Sequence, residues 1–342
     1  MGLSYKSMKR YLVAIVSTVL VVATYQIINI RLFTLDITRH TRDVLFSDLR
    51  SNPPIDTNIV LLNLGKLKLT DIDSLIEPIK KCQPKVIGIN LCHFNEPTLD
   101  FQKRYANDQA IVFVNCDRSQ SNSRSGAIID LGNKVTRFRT DHGDYFESRL
   151  TNFKGTGNPS EIINFGSKHF FRVELAQQEW WTETDLLKDK IALVGYMGDY
   201  LTDSLYYFTS SRITPLNEHF GESNILPDMY DIEISGHIVS MINFRGFIHE
   251  LDLITRVVVL LLISVFSVLI LTYSKTRWIA LNIVIAGIQF VVLAGFGSFL
   301  IVYLFDKGYY LNIDELPLLL VIVAAVTSFL NIVEGNSEAK SS

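Results

Sequence analysis

"NIVLLNLGKLKLTDIDSLIEPIKKCQPKVIGINLC", Asn58 to Cys92, changes its apolar period twice. It opens on a short apolar run, "NIVLLNLG", that stops at a glycine. In the following "TDIDSLIEPIKKC", Thr70 or Asp71 can cap a helix, and Ile72, Leu75, Ile76 and Ile79 fall on one side of it. "KVIGINLC" is a second short apolar run. Strand, helix and strand joined by short links predict a βαβ unit and a parallel sheet. Because the runs are apolar on both faces, the sheet should be covered by helices on both sides.

Outward from this unit the pattern repeats. A helix is expected near Leu99 to Asn107 and a strand at "AIVFVNC", Ala110 to Cys116. From Asp117 to Gly157 the chain is rich in Ser, Asn, Gly and Arg, with weaker strands at "GAIIDLG" and "KVTRFRT", and reads as surface hairpins and loops. After "EIINF", the segment "LLKDKIALVGY" supplies a further buried strand. "IEISGHIVSMINFRG" then supplies a helix with Ile234, Ile238, Met241 and Ile242 in register. On the N-terminal side, "TLDITRHTRDVLFSDLR" reads as a helix stopped by Pro53 and Pro54.

The ends of the chain have a different composition. Residues 11–30, Val257 to Tyr273, Trp278 to Phe305 and Leu316 to Val333 hold no Asp, Glu, Lys or Arg. Twenty helical residues span about 30 Å, the hydrocarbon thickness of a bilayer. The sequence therefore predicts an α/β domain inserted between one N-terminal and three C-terminal transmembrane helices. The expected boundaries are 1–10 cytoplasmic, 11–30 first span, 31–253 outer domain, 254–273, 278–305 and 316–333 further spans, and 334–342 a cytoplasmic tail. No small-x-small cleavage site follows the first span, so it is expected to stay as an anchor. Lys6, Lys9 and Arg10 precede that span, Lys275 and Arg277 fill "SKTR", and Lys340 lies in the tail. Basic residues stay inside, which predicts an inner-membrane protein with both termini cytoplasmic and the large domain in the periplasm or outside. The tail is too short for a catalytic domain, so a separate effector is expected.

The formal net charge is −3, and the outer segment carries more acidic than basic side chains. Nucleic-acid binding needs a basic footprint, so no nucleic-acid partner is expected. The three cysteines, Cys82, Cys92 and Cys116, allow at most one disulfide. Cys82 and Cys92 flank one strand and are not expected to pair with each other. "Cys92-His93" has no second Cys/His pair at ligand spacing, so neither a metal nor any other cofactor is predicted, and the cysteines read as small apolar core residues.

"KIALVGYMGDYLTD", Lys190 to Asp203, is the stretch with most chemical promise. It is not a phosphate loop: no Gly-Lys-Ser/Thr follows the strand, and Asp199 would repel a phosphate. The spacing of Gly195 and Gly198 also excludes a dinucleotide fingerprint. If this stretch is helical, Asp199 and Asp203 share a face and could hold a cation or perform acid/base work; otherwise they cap a turn and face water. No Gly-x-Ser-x-Gly elbow is present, so no catalytic residue is assigned and no enzyme activity is expected.

"LLKDKIALVGYMGDYLTDSLYYFTSS", followed by "PDMYDIEISGHIVSMI", resembles the CHASE type 2 domain, a sensory module of extracellular regions in cyclases and histidine kinases. Lys190, Gly195, Asp203, Glu233 and Ile234 match its pattern of a lysine-led strand, a following aspartate and a closing helix. "VIGINLCHFNEPTLD" and "IVLLNL" are similar to its other strands. Where the family has an aspartate in the second strand, this chain has Asn90, and its Trp-Pro-Trp segment is replaced by "KLKLTDID". The resemblance implies a sensory or interaction domain between one and three membrane spans.

For open α/β sheets a ligand pocket is expected at the carboxyl ends of the strands. That places the candidate ligand contacts at Asn90, Asn115, Asp117, Tyr196, Asp199 and Asp203, with Asn63 nearby. Asp203 is favoured, because it joins a turn position to the family pattern. The expected function is a sensory or interaction protein that takes a small molecule or a protein as ligand and signals to a separate cytoplasmic or membrane partner. The alternatives are a structural or assembly subunit of an envelope complex and, third, an envelope hydrolase using Asp199 and Asp203. Within the spans, Ala294/Ser298 and Ala324/Ser328 offer small residues for helix packing, and Gln26, Asn29, Asn282 and Gln289 are the notable polar residues.

Overall fold

The computed structural model describes residues 56–94, 98–114, 138–140, 145–155, 160–165, 170–176, 184–198, 210–214, 216–217, 226–273, 279–311, 320–321 and 323. They belong to two compact units, one within 42–249 and the other within 250–342.

The first unit is built as its sequence period predicts. Strand β1 (Ile59–Asn63) leads into helix α1 (Leu69–Lys81), strand β2 (Val86–Ile89), helix α2 (Leu99–Arg104) and strand β3 (Ile111–Phe113). There follow β4 (Phe138–Thr140), α3 (Phe146–Thr151), β5 (Ser160–Ile162), β6 (Phe171–Glu174), β7 (Ile191–Gly195), β8 (Ser211–Arg212), β9 (Met229–Tyr230) and α4 (Asp231–Asn243). Five strands form one parallel sheet in the order β3-β2-β7-β1-β6. The central strand is β7, which aligns Ile191 with both Ile59 and Val86 and so separates the two strands of the first βαβ unit.

Alternation along the strands divides the core in two. Val60, Leu62, Ile87, Ile89, Ala192 and Val194 face Ile72, Ile76 and Ile79 of α1 and Phe101 of α2. Ile59, Leu61, Val86, Ile191 and Leu193 face Phe146 and Leu150 of α3 and Ile232 and Val239 of α4. A strand buried on both faces gains from every residue, about 25 cal/mol for each Å² of apolar surface removed from water, which is why these runs show no polar alternation.

Three details differ from the sequence expectation. Helix α1 begins one residue before Thr70, with Lys68 at the N-cap; Asp71 acts from the third helical position, its carboxylate accepting the Lys68 N–H at 2.9 Å. The stretch expected to be only hairpins and loops contains α3, whose Phe146 and Leu150 are core residues. Strand β6 was not foreseen, because its one deeply buried side chain, Val173, gives no periodic signal.

In the second unit, α5 (Leu253–Tyr273) and α6 (Ile279–Asp306) are long and apolar enough to cross a membrane. Their apolar side chains point both ways. Ile254, Val258, Leu262 and Phe266 form an exposed stripe on α5, while Leu260, Ile263 and Val268 pack with Leu293 of α6 and with Leu311, Leu320 and Val323. The first expected span and most of the fourth lie outside the described residues.

Candidate functional site at the carboxyl edge of the sheet

The ladder continues one residue beyond the strands at their carboxyl ends. Leu64 N–H donates to Gly195 O at 2.9 Å, Asn90 N–H to Val194 O at 2.8 Å, and Val114 N–H to Ile89 O at 2.9 Å. This holds the strand exits side by side.

At the centre is Asn63, the last residue of β1 and 3% exposed. Its Oδ1 accepts the N–H of Gly65 at 3.0 Å and of Met197 at 2.7 Å, and its Nδ2 donates to Glu174 Oε2 at 2.6 Å. The turn to Gly65 needs a positive φ of 52°, which glycine adopts without strain. Glu174 Oε1 also accepts from Arg172 Nε at 2.8 Å, and Arg172 Nη2 donates to Met197 O at 2.7 Å. Asn63, Glu174, Arg172 and Met197 thus close a ring of hydrogen bonds across β6, β1 and β7. The charged heads of Arg172 and Glu174 remain about one-third exposed, so the ring shows solvent an ion pair over a buried amide.

Beside the ring is an aromatic layer. His93 is buried and stacks on Tyr196, ring centroids 5.1 Å apart; Tyr196 meets Tyr230 edge-on at 5.8 Å. The Tyr196 hydroxyl folds over Gly198, where a Cβ would collide with it. Burial pushes the His93 imidazole down to about 4, so the ring is neutral at neutral pH. Asn90 Oδ1 accepts the Cys92 N–H at 3.0 Å, fixing the turn into His93. Cys92 is disulfide-bonded, whereas Cys82 is a buried free thiol. Cys82 takes the core role foreseen for the cysteines, and Cys92 packs half-buried against the core while also carrying the disulfide.

Helix α4 closes the site from one side. Glu233 Oε2 accepts the Tyr230 N–H at 2.8 Å, a capping interaction at the helix start. Burial raises its carboxyl, against the opposing pull of that N–H and of the Arg172 charge. Asp228 is also raised by burial, partly offset by its bonds to Thr214; it accepts from the Thr214 N–H at 2.7 Å and from the Thr214 hydroxyl at 2.6 Å. These bonds clasp the chain before β9.

Of the residues singled out from sequence, Asn90 and Tyr196 lie on the neighbouring exits of β2 and β7, at the expected edge of the sheet. Tyr196 is 6% exposed and serves the core, and the Asn90 side-chain oxygen is engaged in its own turn. Asn115, Asp117, Asp199 and Asp203 lie outside the described residues. Arg172 and Glu174 were missed; as charged residues on a strand without apolar alternation, they carried no signal. Among the described residues no group of three or more His, Cys, Asp or Glu side chains could hold a metal ion. Among the described residues, the arrangement fixes the strand exits and presents a guanidinium–carboxylate pair. No protein family, curated protein or solved structure matches the chain.

Proposed function

We propose that this chain is a multi-pass envelope protein related to the CHASE type 2 class, with one N-terminal and three C-terminal spans and both termini in the cytoplasm. Its outer α/β domain senses a small molecule or protein and signals to a separate effector, without enzymatic activity of its own. The observation that carries the proposal is a disulfide-bonded Cys92 in an α/β domain that shares its chain with α5 and α6, two helices of membrane-crossing length. Disulfides persist in oxidising compartments, and uncharged helices of this length belong in lipid. A ligand would act by favouring one of two arrangements of the segments near Arg31 and Arg256, and only as far as it discriminates between them.

A specific observation favours the structural alternative as well. Asn63, Glu174 and Arg172 hydrogen-bond one another, and Tyr196 is buried, so this face also suits a docking surface in a larger complex. Two measurements separate the readings: thermal stability against a metabolite panel, and affinity purification with the native membrane partners. A ligand-dependent rise in melting temperature supports sensing; a stoichiometric partner without any such rise supports assembly. The topology is tested by adding protease to cells with permeabilised outer layers, using a tag at the C-terminus. Cleavage within 42–249 with the tag protected is expected; a protected domain with an accessible tag would overturn the proposal.

A further inference from the structure

Inside the second unit, the side-chain oxygen of Gln289 lacks the partner that its surroundings demand. Gln289 of α6 is 7% exposed and reaches α5, where its Nε2 donates to Ser267 O at 2.8 Å and to Ser267 Oγ at 2.7 Å. Both amide protons are thereby used. Its Oε1 is enclosed and accepts no hydrogen bond. One turn before Ser267, Ser264 is fully buried and donates its hydroxyl to Leu260 O at 2.7 Å, which leaves its oxygen able to accept. Exchanging the amide oxygen and nitrogen would not help, because the nitrogen must face the Ser267 carbonyl.

Depth makes this group costly. Gln289 lies ten residues into α6 and seventeen from its end, about 15 Å and 25 Å along a helix that rises about 1.5 Å per residue. At such depth lipid offers no donor, and an enclosed amide oxygen without one is strongly disfavoured.

We propose that Ser264, Ser267 and Gln289 form a hydration site between α5 and α6, and that one ordered water there donates to Gln289 Oε1. Its second proton goes to a serine hydroxyl oxygen, and its own oxygen can accept from the Ser267 hydroxyl. Buried waters of this kind typically make about three hydrogen bonds to groups that otherwise have none. The water completes a polar bridge that fixes the register of two helices otherwise packed through apolar side chains such as Leu260, Ile263, Val268 and Leu293. The inference rests on the membrane reading of α5 and α6 given above.

The test is water-edited solid-state NMR on the full chain in lipid bilayers, with glutamine and valine labelled by isotope. Gln289 is assigned by its disappearance in Gln289→Leu, or in Gln289→Glu should the first variant fail to fold. Magnetisation from water is expected to reach the Gln289 side-chain carbonyl several-fold faster than the exposed Val291 and Val292 methyls, and to slow markedly in Ser267→Ala. If Gln289 is as dry as the two valines, the hydration site is refuted and the membrane reading stands. If the valines are as wet as Gln289, the membrane reading fails, and the site with it.

Discussion

Two side chains at the sheet edge carry effects far larger than a surface residue would. Replacing Asn63 by Ala removes the acceptor of two backbone N–H groups and the donor to Glu174, and strands those groups at a site only 3% exposed. Each orphaned buried group costs about 1–3 kcal/mol, so Asn63→Ala should lower unfolding free energy by about 3 kcal/mol in denaturant titration. Asn63→Asp keeps the acceptor and sets a carboxylate against Glu174. Its loss should therefore shrink as pH falls through the carboxylate range, whereas that of the alanine variant should not. His93 gives the opposite pH sign. Its folded-state value is near 4 against an ordinary 6.5, so its contribution is complete above pH 6.5 and lost as pH falls towards 4. Fully expressed, that difference is roughly 3 kcal/mol. Glu233 and Asp228, both raised by burial, oppose it in the same window, since their contributions are lost as pH rises. The quantity to measure is therefore the stability of His93→Phe relative to the parent across pH 4 to 7, which should improve steadily on acidification; a constant difference would show that the imidazole does not titrate as its burial implies.

At the scale of elements, helix-to-sheet distance is set by two glycines. A Cβ on Gly88 of β2 would lie 2.7 Å from Phe146 Cζ and 2.9 Å from Leu193 Cδ2. On Gly195 of β7 it would lie 2.8 Å from Ile232 Cβ. The difference decides the outcome: Phe146 meets the intruder with the far end of its ring, while Ile232 meets it at the root of its side chain. Gly88→Ala should cost about 1–3 kcal/mol and be largely rescued by Phe146→Leu, and Gly195→Ala should resist rescue by Ile232→Val, as a double-mutant cycle would show. These contacts also mark how far the sequence could be read. The βαβ start, the strand at Lys190 to Gly195 and helix α4 were legible, because each is apolar over a whole face or on both. Helix α3 is six residues long, too short to display a period, and β6 buries little, so both were silent. The Asn63–Glu174–Arg172 ring joins residues more than a hundred positions apart, and only the pairing of β1 with β6 brings them together.

For the whole molecule, charge and thiol chemistry must agree on one compartment. Apolar stripes remain exposed on both long helices: Ile254, Val258, Leu262 and Phe266 on α5, and Val284, Ile288, Val291 and Phe299 on α6. In water such stripes would drive association, and in lipid they are already solvated. On the proposed topology, the folded domain of the same chain matures where Cys92 can be oxidised. Cys82, buried under α1 and free, reports on the same history without sharing the bond. Alkylation of protein taken directly from its native membrane should then label no cysteine in the folded domain. After denaturation without reductant one thiol, that of Cys82, should react, and all three should react once the disulfide is reduced. Three reactive thiols before reduction would mean that the domain had folded in a reducing compartment, and the envelope topology would have to be given up, however apolar α5 and α6 are.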